Sequence, residues 1–376
     1  MSKKVITPVG TSLLKNYIDC HNDDAKDDFD LIKNEPAKEW NNKRYQTPID
    51  NIQIFVSKWA KKKLGNQIFD ASAEIKSLVK IAKETNDHIE VYLLATDTII
   101  SRLAAEIVRD TLHNHHEGGK TIKILFNPDK DVIAGLQVER QTDFVQIGVT
   151  ELVKRVYQII NEYPDNVMLN ITGGYKATLP YLTILGQVHK IPLYYIFEET
   201  DGLITIPQMP LDIKWAIFDT FWGEFAKLAV EDVIESKNLS YQFKQECSSC
   251  LETTDSLVSL NPLGRILWQR YCAHYFIFYC EDRVWDEITM QPHIQEILTQ
   301  KFHNPQIRFN KTERKNMHVV YDDGDNPYRI YYFEEKQELY IYRTFEDHQA
   351  ALNFIQEPFN KEAIMKKAVI RKWKIQ

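Results

Sequence analysis

Seven short apolar runs punctuate the first two hundred residues: Lys4–Val9, Ile52–Phe55, His88–Ala95, Thr121–Phe126, Val167–Ile171, Pro192–Phe197 and Gly202–Ile206. Their length and near-continuous hydrophobicity predict strands buried on both faces. Between them the apolar residues take helical spacing. One such stretch begins near Leu13, with Leu13, Leu14, Tyr17 and Ile18 on one face; others cover Ser72–Thr85, Ser101–Leu112, Gly148–Glu162 and residues 177–189. Residues 21–48 are highly charged and lack β-branched runs, so they read as an exposed helical or loop excursion. Alternation of strand and helix predicts an α/β fold with an open parallel sheet and helices on both faces.

Beyond the prolines Pro207 and Pro210 the pattern changes. Trp215, Phe218, Phe221, Phe225 and Leu228 form an aromatic helical stripe suited to core or dimer packing. Ser256–Leu260, Pro262 and the apolar residues after it predict a short strand and then a helix opened by proline. Asp282–Phe302 has helical periodicity that Pro292 should break or kink. His318–Tyr321, Tyr328–Phe333 and Leu339–Phe345, separated by turns, predict an antiparallel meander. Alternation there puts Tyr328, Ile330 and Tyr332 on one face and Arg329 and Tyr331 on the other. Three domains follow: residues 1–210, 211–281 and a small α+β domain at 282–376.

A net charge of −7 argues against a protein that coats nucleic acid generally, so RNA contact is expected only at local basic patches. The first such patch is 301–318, with Lys301, His303, Arg308, Lys311, Arg314, Lys315 and His318 against Glu313. The second is the tail 361–374. No apolar run reaches the roughly 18 residues of a membrane span, and no signal-peptide pattern opens the chain, so a cytoplasmic protein without membrane contact is expected. The five cysteines read as reduced thiols; Cys247 and Cys250 have CxxC spacing but no second pair to complete a zinc site. No carboxylate cluster of the kind a metal nuclease uses lies near the basic residues, and no metal is expected.

Three polar turns fall at predicted strand carboxyl ends: Gly10-Thr11-Ser12, Thr96-Asp97-Thr98 and Asn170-Ile171-Thr172-Gly173-Gly174-Tyr175-Lys176. A strand that breaks at glycine and re-enters a helix offers free backbone N–H groups to anions, and glycine lets a phosphate approach closely. Lys176 adds a mobile positive charge. The local alternatives are a helix cap at Thr11 or Ser12 and a plain glycine turn with a solvated Lys176.

Taken together, Pro8–Leu14 and Asn170–Lys176 resemble the CRISPR-associated Rossmann-fold sensor family. That resemblance covers roughly residues 1–210 and implies a Rossmann-like sensor domain. It also implies a homodimer that binds a cyclic oligoadenylate across its two-fold axis. By motif, Thr11 and Ser12 would contact phosphate or ribose, with Asn170, Thr172, Gly173, Gly174 and Lys176 forming the second binding loop. Tyr175 stands where the family has a small residue. The segment 256–267 resembles the end of a winged helix-turn-helix, which implies a connector at 211–281 or, alternatively, a DNA-binding transcription regulator.

Residues 282–376, with "YRIYY" and "LYIYRTFEDH", resemble the RelE family of ribosome-dependent mRNA interferases. Cleaving RNA without a metal requires activating the 2′-OH, stabilising a phosphorane and protonating the 5′-oxygen, which cations and one or two proton-transfer groups accomplish. The resemblance implies Arg329 as the phosphate clamp and His348 as the acid or base, with Lys311, Arg314 and Lys315 in the basic segment. Gln349 stands near the place of a frequent arginine. On residues alone, Arg329 pairs equally well with Glu346 or Asp347, and His348 with the start of a helix. Arg270 and His274 resemble the HEPN ribonuclease pair, at a shorter interval than is usual there. The three parts in this order are similar to interferases that need no cofactor and take cyclic tetra-adenylate as allosteric activator, with the ribosome and mRNA as partners.

Overall fold

The computed structural model describes residues 2–21, 25–137, 143–160, 164–196, 202–210, 212–324, 326–335 and 338–375. They fall into two compact units, Met1–Leu267 and Trp268–Gln376.

The first unit opens β1 (Lys3–Val9), α1 (Ser12–His21), α2 (Ala25–Ile32), α3 (Lys43–Gly65), α4 (Ala73–Thr85), β2 (Ile89–Thr96) and α5 (Ile99–Leu112). There follow β3 (His115–Glu117), β4 (Lys120–Leu125), α6 (Pro128–Asp131), β5 (Val132–Ile133) and α7 (Val149–Ile160). The sheet is completed by β6 (Val167–Asn170), α8 (Leu179–His189), β7 (Leu193–Ile196) and β8 (Leu203–Ile206). Strand order is β3-β4-β2-β1-β6-β7-β8, with β5 beside β2. The central pairs are parallel, as the alternation predicts, whereas the edge strands β3 and β8 run antiparallel to their neighbours. Helices cover both faces: α1, α3, α4 and α5 pack a core with Val5, Val91 and Leu93, while α7 and α8 pack one with Ile6, Leu94 and Leu169.

One predicted strand is absent. Ile52–Phe55 lies within the 23-residue helix α3. Asn42 caps it by accepting from the Arg44 N–H, and Tyr45, Ile49, Ile52, Val56 and Ala60 form the buried stripe. Their spacing of three and four residues is helical; of the apolar run only Ile52 enters the core, while Ile54 and Phe55 stay exposed. The charged excursion is largely helical, folding as α2, a 3₁₀ turn at Ala37–Asn41 and the start of α3.

After β8 the unit adds α9 (Ala216–Thr220), α10 (Trp222–Glu231), β9 (Val233–Glu235), α11 (Tyr241–Glu246), β10 (Leu251–Thr254), β11 (Leu257–Leu260) and the start of α12 (Pro262–Cys272). Its three strands form an antiparallel sheet in the order β10-β11-β9. Phe218, Phe221 and Phe225 of the aromatic stripe are buried. Ile266 enters the α7–α8 core, and its carbonyl accepts from the Tyr157 hydroxyl at 3.3 Å. Cys247 and Cys250 are buried free thiols; burial pushes the Cys247 thiol up to about 12.

The second unit holds β12 (Tyr275–Cys280), α13 (Asp282–Met290), α14 (Pro292–Ile297), α15 (Pro305–Asn310), β13 (Thr312–Lys315) and β14 (His318–Asp322). It continues with β15 (Arg329–Glu335), β16 (Glu338–Phe345), α16 (His348–Phe354), α17 (Lys361–Lys367) and β17 (Val369–Lys374). The helix breaks at Pro292 as expected. The meander β13 to β16 is joined by two further strands, giving the order β13-β14-β15-β16-β12-β17. Strand β12 pairs with both β16 and β17 and so is part of this sheet. Tyr332 and Ile330 face one core and Tyr331 the other, as the alternation predicts.

Candidate functional site

Because β1 lies between β2 and β6, the chain leaves β1 to one side and returns on the other. The carboxyl ends of β1 and β6 are the point where strand order reverses, which is where open α/β sheets hold ligands. Gly10 and Gly174 meet there: a Cβ on Gly10 would lie 3.2 Å from the Gly174 nitrogen. Gly174 has φ +89°, and any Cβ on it would overlap Pro8. Both the backbone and the space demand glycine.

A cavity of about 510 Å³ opens over these turns. Thr11, Thr96, Thr98, Gly174 and Lys176 line it, so all three polar turns contribute. Lys15, Lys33 and Lys176 bring three ammonium groups, and no Asp or Glu is among the described residues that line it. Lys33 pairs with Asp30 at 2.9 Å, whereas the exposed Lys15 and Lys176 have no side-chain partner among the described residues. Helices α1 and α5 begin at its rim, adding the positive ends of their dipoles.

Four of the predicted ligand residues instead build the wall. Ser12 Oγ donates to Glu74 Oε2 at 3.0 Å, and the Gly10 N–H donates to Glu74 Oε1 at 2.8 Å. Gly173 backs onto that carboxyl group, and a Cβ there would stand 2.6 Å from Glu74 Cδ. Asn170 is fully buried; its amide donates to Ser77 Oγ at 2.8 Å and accepts from the Thr172 N–H at 3.2 Å. Thr172 Oγ1 accepts from the Ile196 N–H at 3.0 Å. These residues shape the loop from behind, while Thr11, Gly174 and Lys176 reach the cavity.

Sequence reasoning missed the buried Glu74, whose signal was an acid in the first turn of a helix capped by Ser72. It also missed Phe29, Lys33 and Asn34, which come from the charged excursion. That excursion is anchored to the second turn, where the Ile99 N–H donates to the Glu35 carbonyl at 2.9 Å and the Arg102 guanidinium sits 3.9 Å over the Trp40 ring. The second turn is tied to β1 in turn, because Ser101 Oγ donates to the Val9 carbonyl at 3.0 Å and the Thr96 N–H donates to Ser101 Oγ. Tyr175 packs edge-on against Phe144, ring centroids 5.4 Å apart.

Residues 69–209 match the family model of a CRISPR-associated protein (Cas_APE2256). The matched stretch carries the second and third turns together with Glu74 and most of the sheet. This similarity supports a place for the chain among CRISPR-associated proteins. No helix among the described residues is long and apolar enough to cross a membrane.

In the second unit the predicted cations divide into two sets. Arg329 is buried and paired inward: Nη2 lies 2.9 Å from Asp322 Oδ2, and Nη1 donates to the carbonyls of Asn326 and Tyr328. Its partner is neither Glu346 nor Asp347; Glu346 instead accepts from the His293 N–H. Lys311 pairs with Asp323 at 2.6 Å, as does Lys301 at 2.5 Å. Burial would raise the Asp323 carboxyl, but hydrogen bonds and charge from those two lysines hold it below the usual carboxylate range. Lys315 lies 2.8 Å from Glu313 and 3.6 Å from Asp322. The patch read as basic in sequence is therefore balanced in space by Asp322 and Asp323. His318 is buried, with both ring nitrogens engaged by the Tyr342 hydroxyl and the Glu357 carbonyl.

The exposed members are Arg314, on the edge strand β13, and His348, the first residue of α16. Neither has a side-chain partner among the described residues. The helix cap falls to Asp347, which accepts from the Ala350 N–H, so His348 does not serve as the cap. The tail 361–374 is not a loose basic arm: it forms α17 and β17, with Lys361 paired to Glu335 and Arg371 to Asp282. Arg270 sits in α12, and the His274 carbonyl accepts from the Ile375 N–H. In the segment after β8, α11 holds one cation, Lys244, and it donates to Ser236.

Proposed function

We propose that the chain is a ligand-gated CRISPR-associated ribonuclease. A cyclic oligoadenylate, with cyclic tetra-adenylate as the first candidate, occupies the cavity of the first unit, and the second unit cleaves mRNA held in the ribosomal A site. The observation that carries this reading is the cavity itself: three lysines, no carboxylate among the described lining residues and two helix N-termini at a sheet's switch point. Such an environment stabilises a polyanion, and its threonines and glycines allow phosphates close to the backbone. Two protomers sharing one ring would each supply one such half-site.

In the effector unit the accessible His348 exchanges the proton of the 2′-OH or of the departing 5′-oxygen. Arg314 and Lys315 neutralise charge developing on the phosphorane. Arg329 clamps the turn that presents Asp322 and the basic strand β13, and so acts as a positioning residue. A net charge of −7 gives little general attraction for RNA, so the ribosome supplies positioning, which alone is worth about 7–11 kcal/mol of a barrier. The test is single-turnover cleavage of ribosome-bound mRNA with and without cyclic tetra-adenylate, for the wild type and His348→Ala. Cleavage that depends on the ring and is lost in the variant supports the reading. Cleavage indifferent to the ring, or equal in the variant, overturns it.

A further inference from the structure

A phosphate-binding cavity lined with lysines has an excess of hydrogen-bond donors and few acceptors, and this makes the orientation of each amide in it decisive. Gln137 lines the cavity. Its Nε2 donates to the Asp97 carbonyl at 2.9 Å. A backbone carbonyl only accepts, so the amide nitrogen must be the atom on that side and the assignment is not open to a flip. Oε1 then has no protein partner among the described residues. It is left as a fixed acceptor on a side chain that borders the ligand space.

The backbone around it is equally constrained. The Asp97 N–H donates to the Leu136 carbonyl at 3.1 Å, and the Gly135 N–H donates to Asp97 Oδ2 at 3.0 Å. The Gln137 N–H closes a turn onto the Gly135 carbonyl at 2.8 Å. Gly135 itself has φ +73° and is packed against Ile147. Residues 135–137 are thereby clasped to the second polar turn before any ligand arrives, and a preorganised acceptor costs little further ordering on binding.

We infer that Gln137 is a base-specificity residue of this site, its Oε1 accepting from the exocyclic amine of an amino-bearing base and turning away a base with a keto oxygen there. The inference rests on the nucleotide-sensor reading and deepens it. Adenine N6 and cytosine N4 are donors; hypoxanthine and guanine O6 and uracil O4 are acceptors. A keto oxygen facing Oε1 sets two acceptors against each other and leaves both without a donor.

The experiment titrates the full chain with cyclic tetra-adenylate and with cyclic tetra-inosinate, in which a keto oxygen replaces that amine and the neighbouring N1 carries a proton. Wild-type protein is expected to prefer the adenine ring by at least about tenfold. Gln137→Ala, and Gln137→Met with its near-native volume, should each narrow the preference to about twofold, with no more than a small fall in melting temperature from the lost bond to the Asp97 carbonyl. Lys176→Ala should weaken both rings while keeping the preference, as a phosphate contact does. Equal binding of both rings by the wild type, or an undiminished preference in both Gln137 variants, overturns the inference and leaves the sensor reading standing. Binding of neither ring by the wild type overturns both.

Discussion

Gly173→Ala tests whether the glycine pair was selected by the buried Glu74 rather than by the ligand alone. The added Cβ would lie 2.6 Å from Glu74 Cδ and 2.8 Å from Cγ, well inside van der Waals contact. Glu74 is 1% exposed, so its carboxyl group cannot swing into solvent to make room. Relief requires giving up the bonds from the Gly10 N–H and Ser12 Oγ, each worth about 1.5–3 kcal/mol to a charged acceptor. The expected loss is about 3 kcal/mol or more. Glu74→Ala alone should also cost about 3 kcal/mol or more, since it removes both bonds, leaves the Gly10 N–H unpaired and opens a void. The double variant should recover part of the sum, because the methyl added at position 173 then enters the space the carboxyl group vacates. Urea unfolding of the four proteins, followed by tryptophan fluorescence, gives the coupling energy of the cycle, expected near ~2 kcal/mol. Additivity to within about 0.5 kcal/mol would mean that the carboxyl group and the glycine do not constrain each other.

The second unit and its acid sensitivity give further tests. Arg329→Ala breaks a buried ion pair and should destabilise the second unit by about 3–5 kcal/mol, so lost cleavage in that variant must be read beside its melting temperature. His348→Ala, at an exposed side chain without a partner among the described residues, should leave melting unchanged and lower mRNA cleavage by about 10²–10⁴-fold; an unchanged rate removes His348 from the chemistry. Asp323 is held below the usual carboxylate range, so its contribution is complete above about pH 5 and fades as pH falls through about 3.9 toward its lowered value. Wild type should therefore melt above Asp323→Asn at pH 7, and the gap should close toward pH 3; a gap that holds constant would contradict the assignment.

Much of the first unit's fold was legible because parallel strands such as Val167–Asn170 are buried throughout and stand out as apolar runs between periodic helices. Ile52–Phe55 deceived by the same logic: four residues are too few to distinguish period two from period 3.6, and the deciding positions, Tyr45 and Ala60, lie well outside them. The three polar turns could be placed at strand ends, which brought Thr11, Gly174 and Lys176 to the cavity. Local sequence could not tell that Asn170 and Thr172 point into the protein, since that depends on Ser77 and Ile196 arriving from elsewhere in the chain. For the same reason the sequence could not show that the neighbour of Gly173 is a carboxyl group from α4. In the second unit the charge pattern misled because Asp322 and Asp323 follow the basic segment in sequence yet fold back onto Lys311, Lys315 and Arg329. The strand β17 was read as a basic tail because alternating Lys and Arg masked its pairing with the aromatic β12.

The central claim is that the first unit's cavity binds a cyclic nucleotide through Lys15 and Lys176, and calorimetric titration tests it most directly. With cyclic tetra-adenylate the wild type should show saturable binding. Lys15→Ala and Lys176→Ala should each weaken it about tenfold or more, from the loss of about 1.5–3 kcal/mol per charge-assisted contact, with melting temperatures unchanged. Binding as tight in the Lys15→Ala/Lys176→Ala double variant as in the wild type would contradict the account.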